Sequence, residues 1–369
     1  MSKLTCENTG IVYRNPYPNI RSIHAYKPSI VILPNGELLT SFQLGEAFQA
    51  VNLHINLARS TDGGKSWNLE EPIFPRNESE SVSYEGRLSF INGEVIAFLI
   101  GNKRTRENYG PNNPQTKGYN EMDLMIVRSK DGAKTWNKPK IINTPMKVPY
   151  EMCCPVTVLR DGRWIIPTSI WRNWDGSHPY GLKMIALVSY DSGYTWDEYF
   201  DVMVDPQNNI IYWESKILQL RDGRLLAVAW GYDQKNGVDL PNQYAISDDG
   251  GKTFSNPAST GLFGQTLTPL QLDDGKILSV YRRMDKPGLW AVVSALDGHS
   301  WRNETQIPIW GYESGKIDSG GSQLLKNWTK LRFGTPHMIK MPDDDIYGVF
   351  WETDEAIGTV RYFRLTYNN

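Results

Sequence analysis

Ser60-Thr61-Asp62-Gly63-Gly64-Lys65-Ser66-Trp67 decides the fold, because this octapeptide recurs along the chain. It returns as Ser129-Lys130-Asp131-Gly132-Ala133-Lys134-Thr135-Trp136, as Ser189-Tyr190-Asp191-Ser192-Gly193-Tyr194-Thr195-Trp196 and as Ser247-Asp248-Asp249-Gly250-Gly251-Lys252-Thr253-Phe254. A shortened fifth copy reads Ser294-Ala295-Leu296-Asp297-Gly298-His299-Ser300-Trp301. Each copy has the chemistry of a turn between two strands. The Asp accepts hydrogen bonds from the N–H groups that follow it, Gly admits positive φ, and the ring closes the base of the turn. The Asp in each box is therefore read as structural rather than catalytic.

A second repeat lies upstream of each box: an apolar run, a tight turn and another apolar run. Its turns are Pro34-Asn35-Gly36, Asn92-Gly93, Asp161-Gly162, Arg221-Asp222-Gly223, Asp274-Gly275 and Pro342-Asp343-Asp344, six hairpins for five boxes. One unit then makes one four-stranded blade, with strands A and B in the hairpin, C leading into the box and D leaving it. The sixth unit has A (336–341), B (346–351) and C (359–366), after which the chain ends. Residues 10–14 are expected to supply its missing D strand and to close the ring, which removes exposed sheet edges. The fold predicted is all-β, a six-bladed β-propeller filling residues 1–369 as a single domain.

Composition bounds the function. The 369 residues carry a net charge of −2, which argues against a nucleic-acid footprint or a basic membrane patch. No run approaches the roughly 20 apolar residues of a membrane helix. The start, Met1-Ser2-Lys3-Leu4-Thr5-Cys6-Glu7, has no apolar signal core, which predicts a cytoplasmic chain; a trimmed secretion signal gives the same reading. Three cysteines (Cys6, Cys153 and Cys154) without Cys-x-x-Cys or paired His predict neither a disulfide framework nor a metal site, and Cys153 and Cys154 are read as small strand residues. No cofactor is expected. Thirteen Trp and nineteen Tyr exceed ordinary packing needs and suit the C–H-rich faces of sugars.

Strand parity puts the A–B turns and the boxes at one end of every blade, and the B–C and D–A loops at the other. The longer loops, at 101–121 and 311–331, mark that second end as functional, the first of them carrying Lys103, Arg104, Arg106 and Tyr109. The starts of the A strands are unusually polar: His24, Tyr26 and Lys27; Tyr84, Glu85 and Arg87; Tyr150 and Glu151; Trp213, Glu214 and Lys216; Gln265 and Thr266; Arg332 and His337. The ends of the B strands add Glu46, Trp171, Arg172, Trp230, Asp233, Arg282, Arg283 and Glu352. Carboxylates, cations and rings converging on one end have the composition of a carbohydrate site.

The repeated boxes resemble those of the sialidase superfamily over nearly the whole chain. That resemblance implies a catalytic Glu nine residues before the A–B Gly of blade 4, where Glu214 precedes Gly223. It also implies Glu352 at the end of a blade 6 strand. Elsewhere the chain departs from the family. Trp230 stands where the family has an arginine for the sialate carboxylate, and Tyr26-Lys27-Pro28 replaces Arg-Ile-Pro. Thr335 lies near the position of the Tyr nucleophile, and the loop 45–52 offers Glu46 but no Asp. Because a guanidinium fits a carboxylate as an indole cannot, these departures argue against the usual sialidase site.

The expectation is an exo-acting, sialidase-like glycoside hydrolase for an acidic or highly hydroxylated glycan. Its paired carboxylates would come from Glu214, Glu151, Glu85 and Asp233. Substrate contacts are expected from His24, Tyr26, Lys27, Glu46, Arg87, Arg104, Trp171, Arg172, Trp213, Trp230, Arg282, Arg283, His337 and Glu352. Two rivals stand beside it: a true exo-α-sialidase with relocated arginines, and a non-catalytic propeller that binds glycan or protein.

Overall fold

The computed structural model describes residues 3–77, 79–104, 110–313 and 331–368. Six antiparallel sheets follow one another along the chain. Blade 1 is His24–Ile32, Leu38–Gly45, His54–Ser60 and Asn68–Glu70; blade 2 is Val82–Ile91, Glu94–Lys103, Met122–Ser129 and Lys140–Ile141. Blade 3 is Thr157–Val158, Trp164–Ser169, Met184–Ser189 and Glu198–Met203. Blade 4 is Ile210–Gln219, Leu225–Asp233, Gln243–Ser247 and Ala258–Ser259, with an extra short strand, Val238–Asp239, paired to its second strand. Blade 5 is Gly264–Gln271, Ile277–Arg283, Leu289–Asp297 and Ser300–Trp310. In blade 6, Phe333–Lys340, Ile346–Asp354 and Ile357–Asn368 are completed by the N-terminal strand Lys3–Tyr13.

That closing strand is longer than the sequence suggests. It pairs from Lys3↔Asn368 to Tyr13↔Val360, so it begins well before residue 10, and Arg14 lies just beyond it, bonded to Asp354 at 3.2 Å. Between every two consecutive blades lies an apolar layer. Phe98 and Ile166 meet between blades 2 and 3, Ile165 and Ala227 between 3 and 4, and Val228 and Tyr281 between 4 and 5. Val280 and Phe350 meet between blades 5 and 6, Phe42 and Val349 between 6 and 1, and Leu57 and Leu99 between 1 and 2. A B strand is covered on both faces by such layers, which is why Leu38–Gly45 is buried throughout and does not alternate.

Four boxes have the geometry read from the sequence. Asp131 Oδ1 accepts the Lys134 and Thr135 N–H groups at 3.1 and 2.9 Å, its Oδ2 accepts the Thr135 hydroxyl at 2.6 Å, and Ser129 Oγ donates to it at 2.8 Å. Asp62, Asp191 and Asp249 repeat the pattern. The fifth copy does not: Asp297 pairs directly with Ser300 across a two-residue hairpin, so it caps nothing. Its missing residues leave no loop for the Asp to close.

The A strands carry a second regularity that positions the site. In blades 1, 4, 5 and 6 the A–B register slips by one residue, between Tyr26 and Ser29, Trp213 and Lys216, Gln265 and Thr268, and Gly334 and His337. Each slip contains a non-Gly residue with positive φ: Lys27 (49°), Glu214 (56°), Thr266 (58°) and Thr335 (50°). These are β-bulges whose extra residue turns its side chain away from the pleat. Left-handed conformations in such residues cost roughly 1–3 kcal/mol each and persist where the surroundings enforce them.

Candidate functional site

All four bulge residues line one cavity of about 170 Å³, to which every blade contributes. Of the residues expected at the site, Lys27, Glu85, Arg87, Glu151, Trp171, Trp213, Glu214, Trp230 and Arg282 line it. Phe48, Gln49, Tyr119, Tyr150, Met152, Cys153, Lys216, Gln265, Thr266, Leu331, Thr335 and Trp351 complete the wall. In blade 2 the strand has no bulge, and regular alternation places Glu85 and Arg87 on the same face.

One side of the cavity is a stack of rings. Trp213 lies 4.7 Å from Trp171 in a stacked pair, 4.8 Å from Trp230 and 5.6 Å from Tyr232, and Tyr119 meets Trp171 edge-on at 5.1 Å. Phe48 and Trp351 stack at 4.8 Å elsewhere on the wall, with Tyr26 packed edge-on against both. Trp230 thus presents an indole at the position where the resemblance implies an arginine.

Polar groups fill the floor. Lys27 Nζ is paired with Glu85 at 2.6 Å. Glu151 Oε2 accepts the Glu214 backbone N–H at 2.8 Å, and the Glu214 carboxylate in turn accepts the Thr266 N–H. Burial, reinforced by the neighbouring Glu214 charge, pushes Glu151 up to about 7. Burial likewise pushes the adjoining Cys153 thiol well up, with Glu151 adding to the rise, so the thiol stays protonated. Arg87 donates to the carbonyls of Lys27 (3.2 Å), Gly86 (2.9 Å) and Met152 (3.5 Å), and Arg282 to the Phe333 carbonyl (2.9 Å) and to Gln265. Lys216 is buried, and its ammonium makes one 3.5 Å contact, to the Glu214 carbonyl rather than to its carboxylate.

The remaining expected residues are placed elsewhere. Asp233 closes a surface turn, accepting from Asn236 N at 3.0 Å and Nδ2 at 2.7 Å, and its role there is local. His24 Nδ1 accepts the Gly358 N–H at 2.9 Å, and Tyr26 is buried behind Phe48. Glu46 is exposed, with its N–H on Asn52 at 3.0 Å. Arg104 is buried against the Gln49 carbonyl at 2.9 Å and so braces the loop that carries Phe48. Arg172 is bonded to Gln234, and Arg283 makes a two-bond pair with Asp285 at 2.6 and 2.8 Å. His337 Nδ1 accepts the Ile30 N–H at 3.0 Å; burial and the nearby Arg87 and Lys216 charges hold it down to about 3, hence neutral. Glu352 is buried and paired with Arg361 at 2.9 Å. Cys153 and Cys154 are buried in the extended segment before Thr157–Val158 rather than in a strand. Arg106, Tyr109 and most of the 311–331 insertion lie outside the described residues.

One acidic residue was not legible beforehand. Asp239, on the extra strand of blade 4, is only 8 % exposed, and burial, opposed by the Trp230 indole N–H and aided by the Glu214 charge, pushes it up to about 6. It follows Gly237-Val238 in a stretch with no periodicity and no motif.

Residues 36–308 match the family model of a BNR repeat-like domain. No curated protein matches the chain in sequence. Among solved structures, a protein of unknown function from Dyadobacter fermentans superposes with a TM-score of 0.76 at 20% identity, covering 99% of both chains. The NanB sialidase of Streptococcus pneumoniae gives 0.66 at 14% identity, over 96% of this chain and 70% of that one. The intramolecular trans-sialidase of Ruminococcus gnavus gives 0.65 at 14% identity, over 92% and 94%. At these identities the likeness is one of fold.

Proposed function

The chain belongs to the BNR repeat-like domain family, and from that premise we propose that it is a glycoside hydrolase acting on an acidic sugar. One observation carries the proposal: Glu151, whose carboxylate accepts the Glu214 backbone N–H at 2.8 Å, and Glu214 both line one ring-walled cavity to which every blade contributes. Paired carboxylates are the machinery of most glycosidases. Glu151, pushed up to about 7, keeps a proton near neutral pH and can give it to a leaving oxygen. Glu214 is then the second carboxylate, acting on the sugar or on an attacking water. Trp171, Trp213 and Trp230 offer apolar faces to the ring C–H groups.

The charge balance favours an acidic substrate. Four cations line the cavity (Lys27, Arg87, Lys216 and Arg282) against three carboxylates (Glu85, Glu151 and Glu214), one of which holds its proton near neutrality. The two guanidinium groups already donate to carbonyl groups, which disfavours the reading as a sialidase with relocated arginines. Lys216, like these two arginines, is a buried cation without an ion-pair partner among the described residues, but its ammonium makes only the one 3.5 Å contact, a costly state that a substrate carboxylate or sulfate relieves. Thr335, near the position of the family's Tyr nucleophile, accepts the Trp351 indole N–H at 3.2 Å and offers no phenol.

A panel of aryl glycosides spanning uronic acids, N-acetylneuraminate and neutral hexoses tests this. Turnover of an acidic member is expected, with Glu214→Gln and Glu151→Gln each slower by about a hundredfold or more. If Glu214→Gln turns over the substrate at the parent rate, Glu214 is not catalytic. Binding without turnover by the parent makes the protein a glycan-binding propeller instead.

A further inference from the structure

A second cavity lies beside the first, and the two share Tyr119 and Tyr150 as walls. Its volume of about 550 Å³ falls in the range of roughly 300–1,000 Å³ common to small-molecule sites, whereas the central cavity, at about 170 Å³, falls below it. The central cavity therefore has room for the reacting sugar and little beyond it. The second is built from strand ends of blade 2 and the loops of blade 3, and its rim is fixed before any ligand arrives. The Tyr119 N–H is donated to the Arg172 carbonyl at 2.9 Å, and Asn113 Nδ2 and Thr116 Oγ1 donate to the Trp174 carbonyl at 2.9 and 2.6 Å. The Tyr150 hydroxyl donates to the Met146 carbonyl at 2.8 Å. A preformed site loses less freedom when it is filled.

Much of the lining is apolar: Met122, Ile141, Ile142, Met146, Val148 and Pro149. Ile141 ends the outermost strand of blade 2 and is 58 % exposed, an apolar side chain left to water. The charges among the described residues do not favour an anion. Lys103 and Lys147 stand against Glu121, Asp123 and Asp175, two cations to three carboxylates, and Lys103 is already paired with Asp123 at 3.1 Å. A second acidic sugar is therefore a poor fit.

The position of the acid decides what the second cavity holds. Glu151 directly follows Tyr150, so the carboxyl group that lines the first cavity stands next to the wall shared with the second. A general acid protonates the leaving oxygen, which puts the leaving group on the acid's side of the sugar. We propose that the second cavity is the leaving-group subsite and takes an apolar alcohol, so that the substrate is an acidic sugar carried on an alkyl or aryl aglycone. The proposal rests on the glycosidase reading above, with Glu151 as its acid. Hydrolysis breaks the bond between the sugar carbon and the aglycone oxygen. The Glu151 proton goes to that oxygen, the aglycone departs as a neutral alcohol, and water supplies the hydroxyl of the sugar and a proton that restores the acid.

Methyl and octyl glycosides of whichever acidic sugar the aryl panel identifies test it on the full chain, with the octyl compound kept below its micellar concentration. Their leaving alcohols are of similar acidity and differ in apolar length. The parent's kcat/KM is expected to be about tenfold or more higher for the octyl glycoside. Ile141→Asp changes an exposed side chain, so its Tm should stay near the parent's while the octyl preference falls toward one; Ile141→Asp combined with Val148→Thr should reduce it further. Equal kcat/KM for the two glycosides, or a preference that both variants keep, overturns the subsite and leaves the glycosidase reading standing. A disaccharide of the same sugar turned over faster than the octyl glycoside overturns it too, because the cavity then takes a second sugar. If the parent turns over no member of the panel, the glycosidase reading falls and this subsite falls with it.

Discussion

Replacing Glu151 by Gln reports directly on the electrostatics of the cavity. In the folded protein Glu151 is raised from 4.5 to about 7, first by burial and then by Glu214. A rise of that size corresponds to roughly 3 kcal/mol, and water in the cavity reduces the expectation to about 2. The sign follows from proton binding. Between pH 4.5 and 7 the folded chain holds a proton that the unfolded chain releases, so stability falls as pH rises through this window and levels off above it. Gln keeps a carbonyl oxygen for the Glu214 N–H and does not titrate. Urea unfolding followed by Trp fluorescence from pH 5 to 8.5 should therefore show the variant gaining about 2 kcal/mol on the parent across the range. Asp239 and Glu352 are also raised by burial, but they tilt both curves alike and cancel in the difference. Parallel curves for parent and variant would refute a buried, raised Glu151 and remove the general acid from the proposed mechanism.

Asp131→Ala, which deletes four hydrogen bonds from the second box, should lower Tm while leaving the affinity for any identified ligand unchanged; unchanged Tm with lost binding would reverse its structural assignment. Deleting residues 1–13 removes the whole fourth strand of blade 6 and bares the edge of Ile357–Asn368, so the truncated chain should aggregate or unfold at markedly lower urea, checked by light scattering and denaturation. A soluble truncation with the parent's unfolding midpoint would show that the N-terminal strand is dispensable for closure.

The candidate site was legible in part. Polar residues at the starts of A strands, where an apolar pattern was expected, pointed to Lys27, Glu85, Glu151 and Glu214, and all four reach the cavity. Residues at the ends of B strands were harder to read. Trp171, Trp230 and Arg282 reach the cavity, but Arg172, Arg283 and Asp233 are bonded elsewhere. Neighbours in sequence such as Arg282 and Arg283 point to opposite faces of a strand, and which face meets the axis depends on the bulges.

What the sequence determined by itself is the repeat: six hairpins, four true boxes and a closing strand borrowed from the N-terminus. The turns and boxes are carried by hydrogen bonds spanning three or four residues, as from Thr135 to Asp131, so local chemistry suffices to specify them; the closing strand is a long-range pairing that the repeat implies because the sixth unit lacks its fourth strand. The fifth box failed for the same local reason, its shorter spacing making a hairpin. The tertiary structure alone decided which charges face one another. Lys27 meets Glu85 across 58 positions, Glu151 meets the Glu214 N–H across 63, and Glu214 meets Thr266 across 52. Such pairs form only when neighbouring blades pack and left-handed bulges turn their side chains inward. Asp239 shows the limit most clearly: its burial comes from tertiary packing, and nothing within a few residues of it announces that burial.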